Sequence, residues 1–255
     1  MVACRIRFLT LAMVLATGCT SQPLPTGTAG ATAAVELDRQ LADTDELRAR
    51  REALVEDAIA PAVDDERIVE AFRTVLRHAF VPTDVLERAY GDFAVPIEAG
   101  QTISQPRLVA MMTELVQIES GDRVLEIGTG SGFQAAILRQ LTDEVYSVEI
   151  IPELSGIASA VLERLGYGDI ELERRDGYLG WPEAAPFDAI VVTAAPDHLP
   201  RPLVEQLSPD GGRMVIPIGP VGDVQTLWLV TRNGEDVAME EVVQVRFVPL
   251  TREES

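Results

Sequence analysis

The stretch RVLEIGTGSGFQAAILRQL, Arg123 to Leu141, decides the fold. Arg123 to Ile127 is a short apolar run with one acid inside it, Glu126, and it ends in glycines. A helical pattern starts immediately at Phe133. Strand, glycine turn and helix in that order open a βαβ unit, the connection a parallel sheet requires. Gly128, Gly130 and Gly132 set a G-x-G-x-G spacing. Without Cβ atoms the backbone can approach a ligand closely, and the helix start presents free N–H groups. Such a turn also suits a dinucleotide, but the dinucleotide fingerprint has its third glycine one residue later, where this chain has Phe133.

The pattern repeats outward. Glu144–Ile150 reads as a second strand ending near an acid, Glu149, and Pro152–Gly166 as a helix with Pro at its start and Gly at its end. Ile170–Gly177 gives a third strand and Phe187–Ala195 a fourth, apolar enough to be buried on both faces. Leu203–Gly219 supplies helix, turn and fifth strand; Gln225–Leu250 closes with strand, Asn-Gly turn and strand, an antiparallel edge. Alternating strands and helices predict a doubly wound α/β sheet with ligands at the carboxyl ends of its strands.

Three acids fall at those ends. A carboxylate at Glu149 can accept hydrogen bonds from both hydroxyls of a ribose, and Asp176-Gly177 supplies a third ligand point beside an adenine. Glu126 and Glu149 together suit a cationic sulfonium better than a pyrophosphate, which favours S-adenosyl-L-methionine over a nicotinamide cofactor.

Composition narrows the rest. The 255 residues, 47% hydrophobic, carry a net charge of −20, and all 21 cations are arginine. Nucleic-acid binding needs a basic face and is not expected. Only Cys4 and Cys19 exist, so from Thr20 onward no disulfide, cysteine nucleophile or cysteine-ligated metal is possible. With only His78 and His198 remaining, no metal site is expected.

Arg5 and Arg7, the apolar run Phe8–Ala16 and small residues before Cys19 follow the order of a secretory signal, too short to span a bilayer. LATGC, Leu15 to Cys19, resembles the bacterial lipoprotein signal, in which the cysteine is lipidated. The expected organisation is a signal over 1–18, lipidated Cys19 and a flexible tether over 19–34, a helical segment over 35–98, and a catalytic core over 99–255. The address is then the cell envelope through a lipid anchor, with the cytoplasm as the alternative. In the lead-in, Leu47, Leu54, Val55, Ala58 and Ile59 form an amphipathic stripe broken by Pro61. Asp64 or Asp65 caps the next helix, and His78, beside Phe80 and Val81, reads as a packed structural histidine.

GQTISQP (Gly100–Pro106), VLEIGTGSGFQAAIL, DGYLGWPEAAPFDAIVVTAA (Asp176–Ala195), LSPDGGRMVIPIG and VRFVPLT (Val245–Thr251) resemble the protein-L-isoaspartate O-methyltransferase family, in order, from about Arg50 to Thr251. The resemblance implies a Rossmann-like S-adenosylmethionine-dependent methyltransferase sheet with an N-terminal helical lead-in. It implies methyl transfer to the free α-carboxyl of L-isoaspartyl residues, which begins repair of damaged proteins, by a chain expected to be monomeric.

On this reading Ser104 matches the active-site serine, holding the substrate carboxylate rather than attacking it, since no Gly-x-Ser-x-Gly surrounds it. Glu126, Gly128, Gly130, Gly132, Glu149, Asp176, Gly177 and Gln225 fall at cofactor positions; Thr102, Gln105, Val245 and Arg246 fall on the substrate side. Glu98-Ala99 and Arg107 depart from the family pattern, Arg107 standing where an aromatic or histidine is common. These departures border the substrate, so peptide preference is where this chain is expected to differ. Methylation of another carboxylate and a non-catalytic envelope module are the alternatives.

Overall fold

The computed structural model describes residues 42–252. The glycine-ended run is β3 (Arg123–Ile127), at the heart of a seven-stranded sheet. Beside it lie β4 (Glu144–Glu149) and β6 (Ala189–Val192), flanked by β5 (Glu171–Arg174) and β7 (Asp210–Ile218). The order is β5-β4-β3-β6-β7, all parallel, extended by β8 (Gln225–Asn233) and β9 (Asp236–Val245), both antiparallel to their neighbours. The chain winds from β3 outward to β5, then returns to β6 on the other side. That reversal opens a crevice at the carboxyl ends of β3 and β6, where doubly wound sheets bind ligands.

Side chains alternate between two cores, as the period of two requires. Val124, Ala189, Val191 and Val215 face one core with α4 (Phe133–Arg139) and α5 (Pro152–Arg164). Leu125, Ile127, Ile190, Val192 and Met214 face the other with Leu203 and Leu207, in and just after α6 (Arg201–Gln206). All four residues of β6 are fully buried, as its unbroken apolar run predicts.

The lead-in packs into the first core and adds α1 (Asp45–Leu54) and α2 (Glu66–Thr74). Asp65 caps α2, accepting the Arg67 N–H at 2.8 Å. The helical pattern is less regular than its apolar stripe suggests. After Leu54 the chain widens into a π turn over Val55–Ile59 that puts Val55, Ala58 and Ile59 in the core before Pro61. Beyond Thr74 it continues only as 3₁₀ turns over Arg77–Phe80 and Thr83–Arg88. Val75 turns extended (φ −76°, ψ 123°) and is buried, which ends α2. His78 is packed as expected, with Nδ1 2.6 Å from the Tyr90 hydroxyl, and burial pushes its pKa down.

Two further elements precede β3: the hairpin of β1 (Val95–Pro96) and β2 (Thr102–Ile103), and α3 (Pro106–Leu115), which Pro106 starts. Among the described residues no helix is long and apolar enough to cross a membrane. Cys19 and the segments expected over 1–34 lie outside the described residues.

Candidate active site

Gly128 carries the chain out of β3 with φ +95°, and its N–H and that of Thr129 donate to Val148 O of β4 at 2.9 and 3.1 Å. The Thr193 hydroxyl, just past β6, lies 2.6 Å from Gly128 O. A Cβ on Gly128 would stand 2.6 Å from that same hydroxyl, so conformation and space both demand glycine. Gly132 serves packing, because a Cβ there would press on Leu162 of α5 at 3.1 Å.

The Glu149 carboxylate ties this loop to β4. It accepts Gly130 N–H at 2.8 Å through Oε2 and Ile151 N–H at 2.9 Å through Oε1. Each oxygen keeps a free acceptor direction, and the residue lines the crevice with Gly128, Gly130, Gly177, Thr193 and Leu250. Gly177 cannot carry a side chain, since its Cβ would meet Ile127 Cγ2 at 2.6 Å. Asp176 beside it accepts Tyr178 N–H at 3.0 Å and faces Arg252 Nε at 3.3 Å. It holds the turn and is not among the residues lining the crevice.

Two further cavities adjoin the crevice. A large one of about 550 Å³ lies among the Asp92–Ala94 loop, β2, α3 and the end of β9. A small one of about 40 Å³ runs between Ser104 and the glycine loop and is lined by Glu126, Gly130 and Gln134. Thr102 and Thr193 line all three spaces, which therefore meet at these two hydroxyls. Ser104 lines both added cavities, half-buried, and its hydroxyl has no hydrogen-bond partner among the described residues. Thr102, Gln105, Val245 and Arg246 join it in the large cavity, so the substrate-side positions read from the sequence converge.

Glu126 is fully buried, bonded through Oε2 to the Ser147 hydroxyl, which lies 2.6 Å from the Thr129 hydroxyl. In the cofactor-free protein, burial, helped by the charge of Glu149, pushes its pKa up to about 8, whereas a cation docked beside it would favour the carboxylate. Its Oε1 and the Gln134 Oε1 are buried acceptors without a protein donor. Both residues line the small cavity, so the site suits a ligand that brings N–H donors.

The comparisons with known proteins agree with this geometry. Residues 49–255 match the family described as Protein-L-isoaspartate(D-aspartate) O-methyltransferase. The chain belongs to this family. A protein-L-isoaspartate O-methyltransferase of Opitutus terrae is 52% identical over 204 residues, covering 80% of this chain and 87% of the relative. One of Myxococcus xanthus is 50% identical over 192 residues, covering 74% and 90%. Among solved structures, a protein-L-isoaspartate O-methyltransferase superposes with a TM-score of 0.70 at 31% identity, covering 78% of this chain and 65% of that one. A Plasmodium falciparum beta-aspartate methyltransferase in complex with S-adenosyl-L-homocysteine shares the fold, with a TM-score of 0.67 at 23% identity over 81% of this chain and 98% of that one. The protein is thus an S-adenosylmethionine-dependent methyltransferase.

Within the methyltransferase, Gln225 does not reach any of the three spaces described above. Its buried amide accepts Phe247 N–H at 2.9 Å and donates to Pro220 O at 3.2 Å, pinning the segment after β9. Through these bonds Gln225 holds the acceptor wall in place. His78 and His198 line none of these spaces, so among the described residues no histidine stands beside Ser104 to activate it as a nucleophile.

Two contributors escaped the sequence reading. Thr193 was legible in principle, as a polar residue ending a buried strand. Arg77 is 1% exposed and has no carboxylate partner among the described residues; it donates to Ala89 O and Ser104 O, each at 2.8 Å. Its guanidinium sits 4.7 Å over the Phe133 ring, so one side chain braces the serine loop against the start of α4. Nothing in the local sequence distinguishes it from a surface arginine.

Proposed function

We propose that this chain transfers the methyl group of S-adenosylmethionine to the free α-carboxyl of L-isoaspartyl residues in damaged proteins, starting their repair. The observation that carries the reading is the meeting of cofactor crevice and acceptor cavity at Thr102 and Thr193, with the unpartnered Ser104 hydroxyl beside them. Glu149 is assigned to the ribose hydroxyls, Asp176-Gly177 to the adenine end, and the Gly128–Gly132 backbone to close approach. Glu126 and Gln134 supply acceptors for an ammonium donor.

The cofactor supplies an electrophilic methyl group on a sulfonium. An acceptor carboxylate is already ionised near neutral pH, so no general base is needed. The new carboxyl O–CH₃ bond forms as the C–S bond breaks, sulfur keeps the electron pair, and no proton moves. The protein's task is alignment and removal of water. Ser104 donates to one carboxylate oxygen and leaves the other to react; Thr102 and Gln105 shape the loop around it.

An isoaspartyl peptide and its aspartyl twin, incubated with methyl-labelled cofactor, test the assignment. Base-labile label is expected on the isoaspartyl peptide alone. Ser104→Ala is expected to lower kcat/KM about ten- to hundredfold, the effect of a hydrogen bond to a charged group. Equal labelling of the twins overturns the reading.

We further propose that Cys19 is the lipidated mature N-terminus, tethering the enzyme to a bacterial membrane. Support comes from the LATGC ending after a basic and apolar run, and from a tether-like composition before the first described helix.

A further inference from the structure

The acceptor cavity has the opposite sign to the molecule around it. The chain carries −20 overall, yet the charged residues lining the cavity are one acid and two arginines: Asp92, Arg107 and Arg246. The acid is already engaged. Asp92 accepts Arg107 N–H at 3.1 Å and pairs with its guanidinium at 3.2 Å. Arg246 is exposed, and its guanidinium has no ion pair or hydrogen bond among the described residues.

Resting on the isoaspartyl reading, the question is what anion an unpaired guanidinium there would hold. The reacting carboxylate is a poor choice. It loses its negative charge as the ester forms, so a full cation paired to it stabilises the ground state more than the transition state. A neutral hydroxyl such as Ser104 avoids that penalty. Arg246 is then free for a second anion that keeps its charge throughout the reaction, and an acidic side chain next to the damaged residue is one. Local cations also offset the long-range repulsion that a −20 protein exerts on an acidic acceptor.

We propose that Arg246, with Arg107 on a second wall, makes the acceptor site select isoaspartyl segments carrying an acidic side chain beside the isoaspartyl residue. Arg107 is the weaker contributor, because its guanidinium already pairs with Asp92.

The test uses isoaspartyl hexapeptides identical except for Glu, Gln or Lys at the neighbouring position, made in both directions, with kcat/KM read at low salt. The expected order is Glu, then Gln, then Lys, in at least one direction. Glu exceeds Gln by about fivefold, the reach of one solvent-exposed charge pair, and the gap narrows in about 0.5 M salt. Arg246→Gln brings the Glu-to-Gln ratio to about one, and Arg107→Gln lowers it. Each ratio is read within one preparation, so a variant that folds only in part does not distort it. Equal rates for Glu and Lys peptides with the wild-type enzyme overturn the inference, as does Arg246→Gln keeping the wild-type ratio. Labelling without charge order defeats this inference alone, whereas labelling of none of the peptides defeats the isoaspartyl reading on which it rests.

Discussion

Glu126 is an acid set where water does not reach, on the same face of β3 as Val124. From the sequence it reads as an anion next to the glycine turn; its charge state depends on how completely the lead-in, α3 and α4 cover that face. The consequence is measurable in the cofactor-free protein. With its pKa raised from 4.5 to about 8, the native state keeps a proton that the unfolded chain releases across that window. Stability therefore falls as pH rises from about 4.5 to 8, by at most about 1.4 kcal/mol per pH unit. Glu126→Gln removes this slope. Relative to the wild type its Tm is expected to rise steadily through that window in calorimetric scans, and parallel curves for the two proteins exclude the buried-acid account. Arg77 teaches the same lesson: its partners are the carbonyls of Ala89 and Ser104, 12 and 27 positions away, and no local pattern announces them.

At the scale of elements, the strands of the large sheet were legible and the β1–β2 hairpin was not. The β3 and β6 runs are apolar because both faces are covered, and the Asn233-Gly234 turn marks the β8–β9 hairpin. By contrast, β1 and β2 are two residues each, too short for periodicity to register, and the Glu98–Gly100 turn between them is built on local geometry. Gln225 shows how an element end acquires a role. It begins β8, but its amide holds Phe247, 22 positions on, and with it the stretch that forms the acceptor cavity wall. Gln225→Ala is expected to raise the acceptor KM about three- to tenfold, the effect of one lost hydrogen bond with loosening of the segment. Cofactor affinity by calorimetry is expected to hold within about twofold. Weakened cofactor binding with an unchanged acceptor KM supports instead the cofactor position that the family resemblance implies for Gln225.

For the whole molecule, the proposed lipid anchor at Cys19 predicts a mature chain that begins at that residue. Mass spectrometry of the mature protein from a membrane fraction is expected to find a diacylglyceryl-modified Cys19 as the first residue. An unprocessed Met1 refutes the anchor and leaves the methyltransferase untouched. The sequence by itself determined the doubly wound sheet, the glycine turn and the identity of the serine loop. Each is written in contiguous residues, whose periodicity, spacing and turn chemistry act over a few positions. Only the tertiary structure decided that Glu126 is buried with its pKa raised, that Gln225 bonds to the segment behind the acceptor wall, and that an unpaired arginine faces the acceptor cavity. Burial, hydrogen-bond partnership and local charge balance are set by neighbours distant in sequence, and those neighbours exist only once the chain has folded.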